Sequence, residues 1–250
     1  MNTQKYTTRD WNHNQGHEIC PSDIYNKYLP YKSDGYFVEI GVGGTLPPNA
    51  SNTGDLADMG WRGLYFEPHP IYYKEALERH AHNLDRVKIV NVGLGDVDET
   101  KNLFAGDTFL EDVHKHYDKL GWLDNDRVHG TNYKAQYGKP MCKIVNVRQA
   151  LEDHACAAQF DILSIDVEGY EKKIVSSYDF EKHRPTLVVI ELRTINPSFC
   201  SPGTGARLVS DGHEVGEIMK SNDYVIIHQD AANTWFGDIR SPHVPRQDPK

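Results

Sequence analysis

The chain has 250 residues, of which 38% are hydrophobic and 10% aromatic, and 27 lysines and arginines against 36 acidic residues give a formal net charge of −9. A chain of this length can bury roughly 70–75% of the surface that its unfolded form exposes, so it needs neither disulfides nor a metal to fold. The acidic balance and the lack of a Lys/Arg cluster argue against a nucleic-acid partner, because that affinity comes chiefly from clustered positive charge.

The four cysteines are isolated, and their spacing matches neither a CxxC pair nor a tetrahedral zinc site. They are Cys20, Cys142, Cys156 and Cys200. The first residues lack the basic start and apolar stretch of a signal peptide, and no window approaches the ~18 apolar residues of a membrane span. These features predict reduced thiols, a cytoplasmic location and no membrane insertion.

Short apolar runs alternate along the chain with segments of helical periodicity. The predicted strands are residues 36–40, 64–66, 87–92, 162–165, 187–190 and 224–227, and the predicted helices are residues 55–59, 71–82, 148–157, 171–177 and 214–221. The apolar runs are continuous, which is typical of strands that are covered on both faces. Strands that alternate with helices predict an α/β fold with a largely parallel sheet.

Two longer stretches, 106–139 and 194–212, are polar, weakly periodic and rich in turn residues, which predicts loops. Loops this long in a compact domain are usually lids or binding loops. We therefore expect a helical or loop segment at 1–35, one domain at 36–240 with an insertion at 106–139, and a frayed tail at 241–250 that carries three prolines.

A glycine-rich turn follows the first predicted strand, in the sequence FVEIGVGG. Glycines at such a turn let a nucleotide-like ligand approach the backbone closely. A dinucleotide fingerprint requires a third glycine where Leu46 stands, and Pro47 and Pro48 oppose immediate entry into a helix. The turn therefore favours a nucleotide-like ligand other than a nicotinamide dinucleotide.

Two acidic residues accompany this turn. Glu39 stands two residues before Gly41, where a carboxylate can hold a cationic amino group. Glu67 closes the next strand, 26 residues after Gly41 (41 to 67), where a carboxylate can accept ribose hydroxyls. A glycine turn between two such acids indicates an adenosine ligand without a pyrophosphate, such as S-adenosylmethionine.

Three strings in this order resemble the FkbM-type methyltransferases of the class I S-adenosylmethionine-dependent superfamily. They are FVEIGVGG at 37–44, SNT at 51–53 followed by GWRGLYFEPHP at 60–70, and DILSIDVEGYE at 161–171. The resemblance covers roughly residues 36–237. It implies a Rossmann-like three-layer sandwich with a mostly parallel seven-stranded sheet, whose last strand, at 235–239, is antiparallel.

The same resemblance implies the residues that bind S-adenosylmethionine. Its methionine part is assigned to Glu39, Gly41 and Gly43, its ribose to Glu67, and its adenine to Asp96 in NVGLGD. The predicted cofactor set also includes Ser51, Asn52, Thr53 and Asp166. The acceptor is not implied, because the 106–139 insertion departs from the simplest family pattern.

Acidic residues also end the predicted central strands. Asp166 and Glu168 follow the fourth strand, at the edge where open α/β sheets bind ligands, and are candidate catalytic residues. Glu168 can instead cap the helix that begins near Tyr170. Glu191 closes the fifth strand, and Asp166 with Glu191 would offer Mg²⁺ or another divalent cation two hard oxygen ligands. A purely structural charge at Glu191 is the alternative.

Two of the thirteen histidines lie where a ligand is expected. His228 ends the sixth strand and His69 stands beside Glu67. A histidine near its unperturbed pKa of ~6.5 can take a hydroxyl proton at neutral pH, so His228 is a third catalytic candidate.

The sequence thus predicts an S-adenosylmethionine-dependent O-methyltransferase. Its expected acceptor is a hydroxyl of a sugar, a glycan or a small natural product, and a homo-oligomer is left open. The alternatives are a nicotinamide-dependent oxidoreductase and a non-catalytic cofactor-binding protein of the same fold.

Overall fold

The computed structural model describes residues 4–7, 19–43, 51–102, 140–167, 169–192, 205–230 and 233–245, without the side chains of 205–211. The helices are α1 (Pro21–Tyr28), α2 (Gly54–Asp58), α3 (Pro70–Arg79), α4 (Val147–Asp153), α5 (Glu171–Ser177) and α6 (Gly205–Ser221). The strands are β1 (Tyr36–Ile40), β2 (Arg62–Phe66), β3 (Val87–Val90), β4 (Gly93–Gly95), β5 (Glu99–Asn102), β6 (Met141–Asn146), β7 (Gln159–Ile165), β8 (Arg184–Glu191), β9 (Tyr224–Gln229) and β10 (Asn233–Asp238). Among the described helices, none has the length and apolar character that crossing a membrane requires.

The main sheet has seven strands in the order β3-β2-β1-β7-β8-β10-β9. All neighbouring pairs from β3 to β8 are parallel, whereas β10 runs antiparallel to both β8 and β9. The predicted sheet, with its last strand antiparallel, is confirmed. The predicted strands at 64–66 and 187–190 are longer in the structure, because β2 begins at Arg62 and β8 at Arg184.

Side chains that alternate along the strands pack into two separate hydrophobic cores, one on each face of the sheet. Val38, Ile40 and Leu163 belong to a core that includes residues of α4, α5 and α6. Phe37 and Tyr65 belong to a second core, on the opposite face, that includes residues of α1, α2 and α3. Helices therefore cover both faces of the sheet, which confirms the three-layer sandwich.

The structure also has a second sheet of three strands, in the order β4-β6-β5, which the sequence did not predict. β4 is only Gly-Leu-Gly and β5 is the polar run Glu-Thr-Lys-Asn, so neither carries an apolar strand pattern. Both strands exist because they pair with β6, which follows them at residue 141. Such long-range pairing leaves no trace in local periodicity.

The helix predicted at 71–82 ends earlier, at Arg79, and two other predicted helices differ more from the observed bounds. The helix expected at 148–157 ends at Asp153, because Ala155 adopts φ +50° and the Cys156 amide donates to the Leu151 carbonyl at 2.9 Å, a Schellman-type end. The prediction of a loop at 194–212 is wrong for residues 205–212, because α6 begins at Gly205 rather than at residue 214. Burial of Val215 and Met219 in the first core overrides the low helix propensity of the glycines around them. The insertion at 106–139 lies outside the described residues.

The parallel strands β1, β2, β7 and β8 all end at one edge of the main sheet. β1 stands between β2 and β7, so the chain leaves β1 toward one side of the sheet and returns on the other. Open α/β sheets bind ligands at this switch point, outside the carboxyl ends of the strands. The glycine turn and the predicted acids follow these strand ends.

Candidate active site

Gly41 closes the switch point and has no room for a side chain. Its amide donates to the Phe66 carbonyl at 2.9 Å, and its φ is +85°. A Cβ at this position would lie 1.7 Å from the backbone oxygen of Asp166. Gly41 therefore lets the backbones of β1, β2 and β7 converge, which is a structural requirement.

Gly43 has a different environment, although its φ of +67° is also positive. Among the described residues, no atom other than those of its chain neighbours lies within 4 Å of the position that a Cβ would take there. The described part of the fold therefore leaves space beside the second glycine of the turn, at the point where a ligand is expected to approach.

Glu67 fixes this turn from the end of β2. One carboxylate oxygen accepts from the Gly43 amide at 2.8 Å, and the other accepts from the His69 amide at 2.8 Å. The side chain is only 4% exposed. Burial raises the pKa of the Glu67 carboxyl to about 7, against the opposing effect of these backbone amides.

Glu39 is only 1% exposed, and its carboxylate accepts hydrogen bonds from the 51–53 segment. Its carboxylate accepts from the Ser51 hydroxyl at 2.6 Å, from the Asn52 amide at 3.1 Å and from the Thr53 hydroxyl. The Thr53 hydroxyl also lies 3.2 Å from the Tyr65 hydroxyl, from which it can accept while its own proton goes to Glu39. The structure therefore brings together Glu39 and the three residues of the SNT string, which the sequence predicted as parts of one site.

Asp96 follows β4 and carries a buried oxygen, Oδ1, that has no hydrogen-bond partner among the described residues. Its backbone carbonyl accepts from the Asn146 side-chain amide at 2.5 Å, which fixes the turn. A buried carboxylate oxygen without a donor is unfavourable unless a ligand supplies one. This observation suits the predicted contact of Asp96 with the amino group of an adenine.

Three carboxylates converge beyond β7 and β8. Asp166, Glu171 and Glu191 each offer an oxygen, and these oxygens all lie within 4.8 Å of one another. The sequence predicted Asp166 and Glu191 together but missed Glu171, which it placed only at the start of a helix. The signal that could have found it is the tight DVEGYE turn, which returns the chain toward Asp166.

Glu171 also holds that turn in place. Its carboxylate accepts from the Val167 amide at 3.1 Å and from the Gly169 amide at 2.9 Å. Burial, and then repulsion from Glu191, raise the pKa of Glu171 to about 7. Glu168, the neighbouring catalytic candidate, lies outside the described residues.

The two histidine candidates have contrasting positions. His228 lies on the edge strand β9, opposite Trp235, and its buried Nε2 has no partner in the described part of the chain. Three interstrand spacings separate β9 from β7, or roughly 14 Å at ~4.8 Å each. His69 caps α3, because its Nδ1 accepts from the Ile71 amide at 3.3 Å and the Tyr72 amide at 3.4 Å. Burial lowers the pKa of His69, which favours the neutral imidazole that this cap requires.

The raised pKa values of Glu39 and Glu67 predict how stability depends on pH. A carboxyl with a folded pKa of about 7 and an ordinary value of 4.5 binds more proton when folded, so its stabilising effect is present below pH 4.5 and lost toward pH 7. We expect the free energy of unfolding of the ligand-free protein to fall between pH 5 and pH 8, by up to about 3 kcal/mol per group. Urea titrations at a series of pH values measure this slope.

The control for this pH dependence is Glu39→Gln. The Ser51 and Thr53 hydroxyls can rotate to accept from the new amide while its oxygen still accepts from the Asn52 amide. This variant should therefore fold and show a shallower slope than the parent. A parent slope of zero, or one that Glu39→Gln leaves unaltered, would contradict the assignment of Glu39 as a titrating buried group.

Comparisons with known proteins yielded one family model and a set of solved structures. The model, described as the methyltransferase FkbM domain, matches residues 36–226. No curated protein sequence matches the chain. The residues that match the family model include the glycine turn, the acids at the strand ends and the first three residues of β9.

The solved structures are distant. Precorrin-6y C5,15-methyltransferase from Geobacter metallireducens is 10% identical, with a TM-score of 0.45 over 87% of each chain. The fibrillarin pre-rRNA processing protein of Methanococcus jannaschii is 12% identical, with a TM-score of 0.45 over 94% of this chain and 81% of that one. An O-methyltransferase from Bacillus cereus in complex with SAH is 13% identical, with a TM-score of 0.43 over 82% of this chain and 74% of that one. Likeness at this level says nothing about the acceptor.

Proposed function

This chain belongs to the FkbM methyltransferase domain family, and from that premise we propose that it is an S-adenosylmethionine-dependent O-methyltransferase. We propose that it acts on a hydroxyl group of a sugar, a glycan or a small natural product. The observation that carries the cofactor assignment is the turn at the switch point, where the described residues leave space beside Gly43 and Glu67 accepts from the Gly43 amide.

The residues present fit this cofactor at three points. Gly43 can accommodate the methionine part, and Glu67 can accept the ribose hydroxyls while it holds the turn. The Oδ1 of Asp96, which no described residue contacts by a hydrogen bond, can accept from the adenine amino group. When bound, S-adenosylmethionine supplies a methyl group that its sulfonium makes electrophilic. Glu39 stays a proposed partner of the amino group, and its bonds to the 51–53 segment shape the same region.

A hydroxyl acceptor needs a group that takes its proton, and most of the rate of methyl transfer comes from alignment of that oxygen. Candidates at the carboxyl edge of the sheet are Asp166 and Glu168 after β7 and His228 on β9. Asp166 lies beside the glycine turn, because its backbone oxygen is next to Gly41, whereas His228 lies three strands away from β7. For a mechanism without a metal, we therefore propose Asp166 as the first candidate base, with Glu168 and His228 behind it.

The three converging carboxylates support a further part of this proposal. We propose that Asp166, Glu171 and Glu191 hold a divalent cation such as Mg²⁺, which prefers hard oxygen ligands. Three acidic groups this close repel one another unless a cation or a proton lies among them. A cation there would lower the pKa of an acceptor hydroxyl and offset the repulsion.

The net charge of −9 supports a small-molecule or glycan acceptor rather than a polyanion such as nucleic acid. Two alternative functions make different predictions. A nicotinamide-dependent oxidoreductase should bind NAD, whereas a non-catalytic cofactor-binding protein should bind S-adenosylmethionine without turnover. Calorimetric titration with S-adenosylmethionine, S-adenosylhomocysteine and NAD separates the first, and methyl transfer to a panel of glycans separates the second.

The sharpest test of the cofactor site is Glu67→Ala. We expect micromolar binding of S-adenosylhomocysteine by the parent, and binding weaker by roughly 10- to 150-fold in the variant, because two charge-assisted hydrogen bonds to ribose are lost. Calorimetry measures both dissociation constants. Unchanged affinity in Glu67→Ala would mean that the ribose lies elsewhere.

The matched control is Asp161→Ala. Asp161 is also a buried carboxylate, 7% exposed, but it accepts from the Tyr36 amide at 2.9 Å, at the opposite edge of the sheet. Its removal should destabilise the fold, as the removal of Glu67 does, while the affinity for S-adenosylhomocysteine stays within about twofold. Equal losses of affinity in both variants would indicate a general effect of destabilisation.

A further inference from the structure

The N-terminal segment, described at residues 4–7 and 19–35, precedes the residues that match the family model. It nevertheless packs on the main sheet. Tyr25 of α1 is fully buried, and its ring contacts the Trp235 ring edge-on at a centroid distance of 5.9 Å. The covered face includes Tyr65 and Val189. This segment is therefore part of the second core.

One atom of this segment reaches the region of the proposed cofactor site. The Tyr25 hydroxyl donates to the backbone carbonyl of Asn52 at 2.6 Å. The Tyr25 hydroxyl belongs to a fully buried side chain and has no water as an alternative partner, so this bond ties the Asn52 carbonyl to α1.

Asn52 is held on two further sides. Its amide donates to Glu39 of β1 at 3.1 Å, and its side-chain amide donates to the Ser164 hydroxyl of β7 at 3.1 Å. Glu39 and Ser164 are directly opposite each other in the sheet, on the two strands that flank the switch point. Asn52 is thus bonded to α1, β1 and β7 through three separate groups.

Hydrogen bonds hold both ends of the stretch that links the glycine turn to Asn52. Glu67 holds the Gly43 amide at the start of that stretch, and Tyr25, Glu39 and Ser164 hold Asn52 at its end. The family-matched region supplies every one of these groups except Tyr25. The N-terminal helix therefore completes a set of bonds that otherwise belongs to the methyltransferase domain.

We propose that Tyr25 is a positioning residue for the cofactor, which acts through the Asn52 carbonyl to hold the 51–53 segment in its binding conformation. The proposal rests on the proposed function. It assigns to α1 a part in cofactor affinity, in addition to its part in the hydrophobic core.

The test compares Tyr25→Phe with Tyr6→Phe. Tyr6 lies in the same segment, is 2% exposed, contacts the Tyr25 ring, and donates its hydroxyl to the Pro30 carbonyl at 2.7 Å. Each variant removes one hydroxyl from a bond to a backbone carbonyl, and Tyr6→Phe also removes the acceptor of the Lys32 amide, 3.1 Å away. Of the two tyrosines, only Tyr25 bonds the 51–53 segment. Calorimetry with S-adenosylhomocysteine and thermal unfolding, both on the full chain, give the two readouts.

We expect both variants to lower the unfolding temperature by similar amounts. Tyr25→Phe should raise the dissociation constant for S-adenosylhomocysteine by about 3- to 10-fold, whereas Tyr6→Phe should leave it within about twofold. Ser164→Ala, which removes the bond on the other side of Asn52, should weaken binding in the same direction as Tyr25→Phe. Amide hydrogen exchange of a peptide that spans residues 51–54 should speed up in Tyr25→Phe alone of the two tyrosine variants.

Two results would overturn the proposal, and they differ from each other. If the parent binds S-adenosylhomocysteine and the two tyrosine variants have equal dissociation constants, Tyr25 contributes only to the core, and the proposed function stands. If the parent does not bind S-adenosylhomocysteine at all, the proposed function fails and this inference fails with it.

Discussion

Replacing Gly41 with alanine is expected to lower the free energy of unfolding by about 3–5 kcal/mol. The φ of +85° is unfavourable for any residue with a Cβ, and the new Cβ would lie 1.7 Å from the Asp166 carbonyl oxygen. A carbonyl of the neighbouring strand cannot turn away as a side chain can, so β1 and β7 must separate at the switch point. Urea denaturation of the ligand-free protein measures the loss.

Gly43→Ala is the matched control for that variant. Gly43 also has positive φ, but a Cβ there would meet no atom of the part of the chain that the structure describes, so the fold should lose only about 1–2 kcal/mol. The same Cβ would occupy the space proposed for the cofactor, and we expect S-adenosylhomocysteine to bind at least about tenfold more weakly. Equal stability of the two variants, or unchanged affinity in Gly43→Ala, would show that the two glycines do not divide the structural and binding roles in this way.

Chelation is expected to abolish methyl transfer, and Mg²⁺ or Mn²⁺ to restore it, while S-adenosylhomocysteine binding survives. The reason is the convergence of Asp166, Glu171 and Glu191, whose oxygens lie within 4.8 Å of one another. Calorimetric titration of Mn²⁺ gives a readout that needs no acceptor. Asp166→Asn keeps the shape of the side chain but removes one charge, so it should bind Mn²⁺ at least about tenfold more weakly than the parent.

Asp161→Asn serves as the control for metal binding, because Asp161 lies near the start of β7, whereas Asp166 follows its end. It should bind Mn²⁺ as the parent does. Full methyl transfer after exhaustive chelation, together with no heat of Mn²⁺ binding, would remove the metal from the mechanism. Asp166 would then be left as a general base, with Glu191 as electrostatic support.

The sequence predicted those features of the fold that repeat locally or that follow from a strand end. The five parallel strands were found because each contains a short run rich in apolar residues, and the antiparallel β10 because the family resemblance implied it. The glycine turn and Glu67 were found because both directly follow buried strands. Their roles toward a cofactor stay predictions, supported by two observations on the described residues: none of them crowds a Cβ at Gly43, and none donates to Oδ1 of Asp96.

The features that the sequence missed depend on contacts between distant residues. β4 and β5 contain glycine or polar residues and form only because β6 pairs with them. Glu171 reaches Asp166 and Glu191 because the chain turns back after Asp166. The sequence analysis missed this role, because an acidic residue at the start of a helix is common for a purely structural reason. Tyr25 is 27 residues from Asn52, and an aromatic residue in an amphipathic helix predicts burial but does not say which carbonyl its hydroxyl meets.

The packing of the N-terminal segment also affects which truncated forms of this protein can be expressed. A chain that begins at Tyr36, where the family model begins, would lose the rings of Tyr6 and Tyr25, which pack on the buried Trp61 and Trp235 of the second core. Apolar surface bared in this way promotes aggregation. Expression trials that follow the family boundary should therefore give insoluble protein, whereas fragments that retain Tyr6 and α1 should remain in solution.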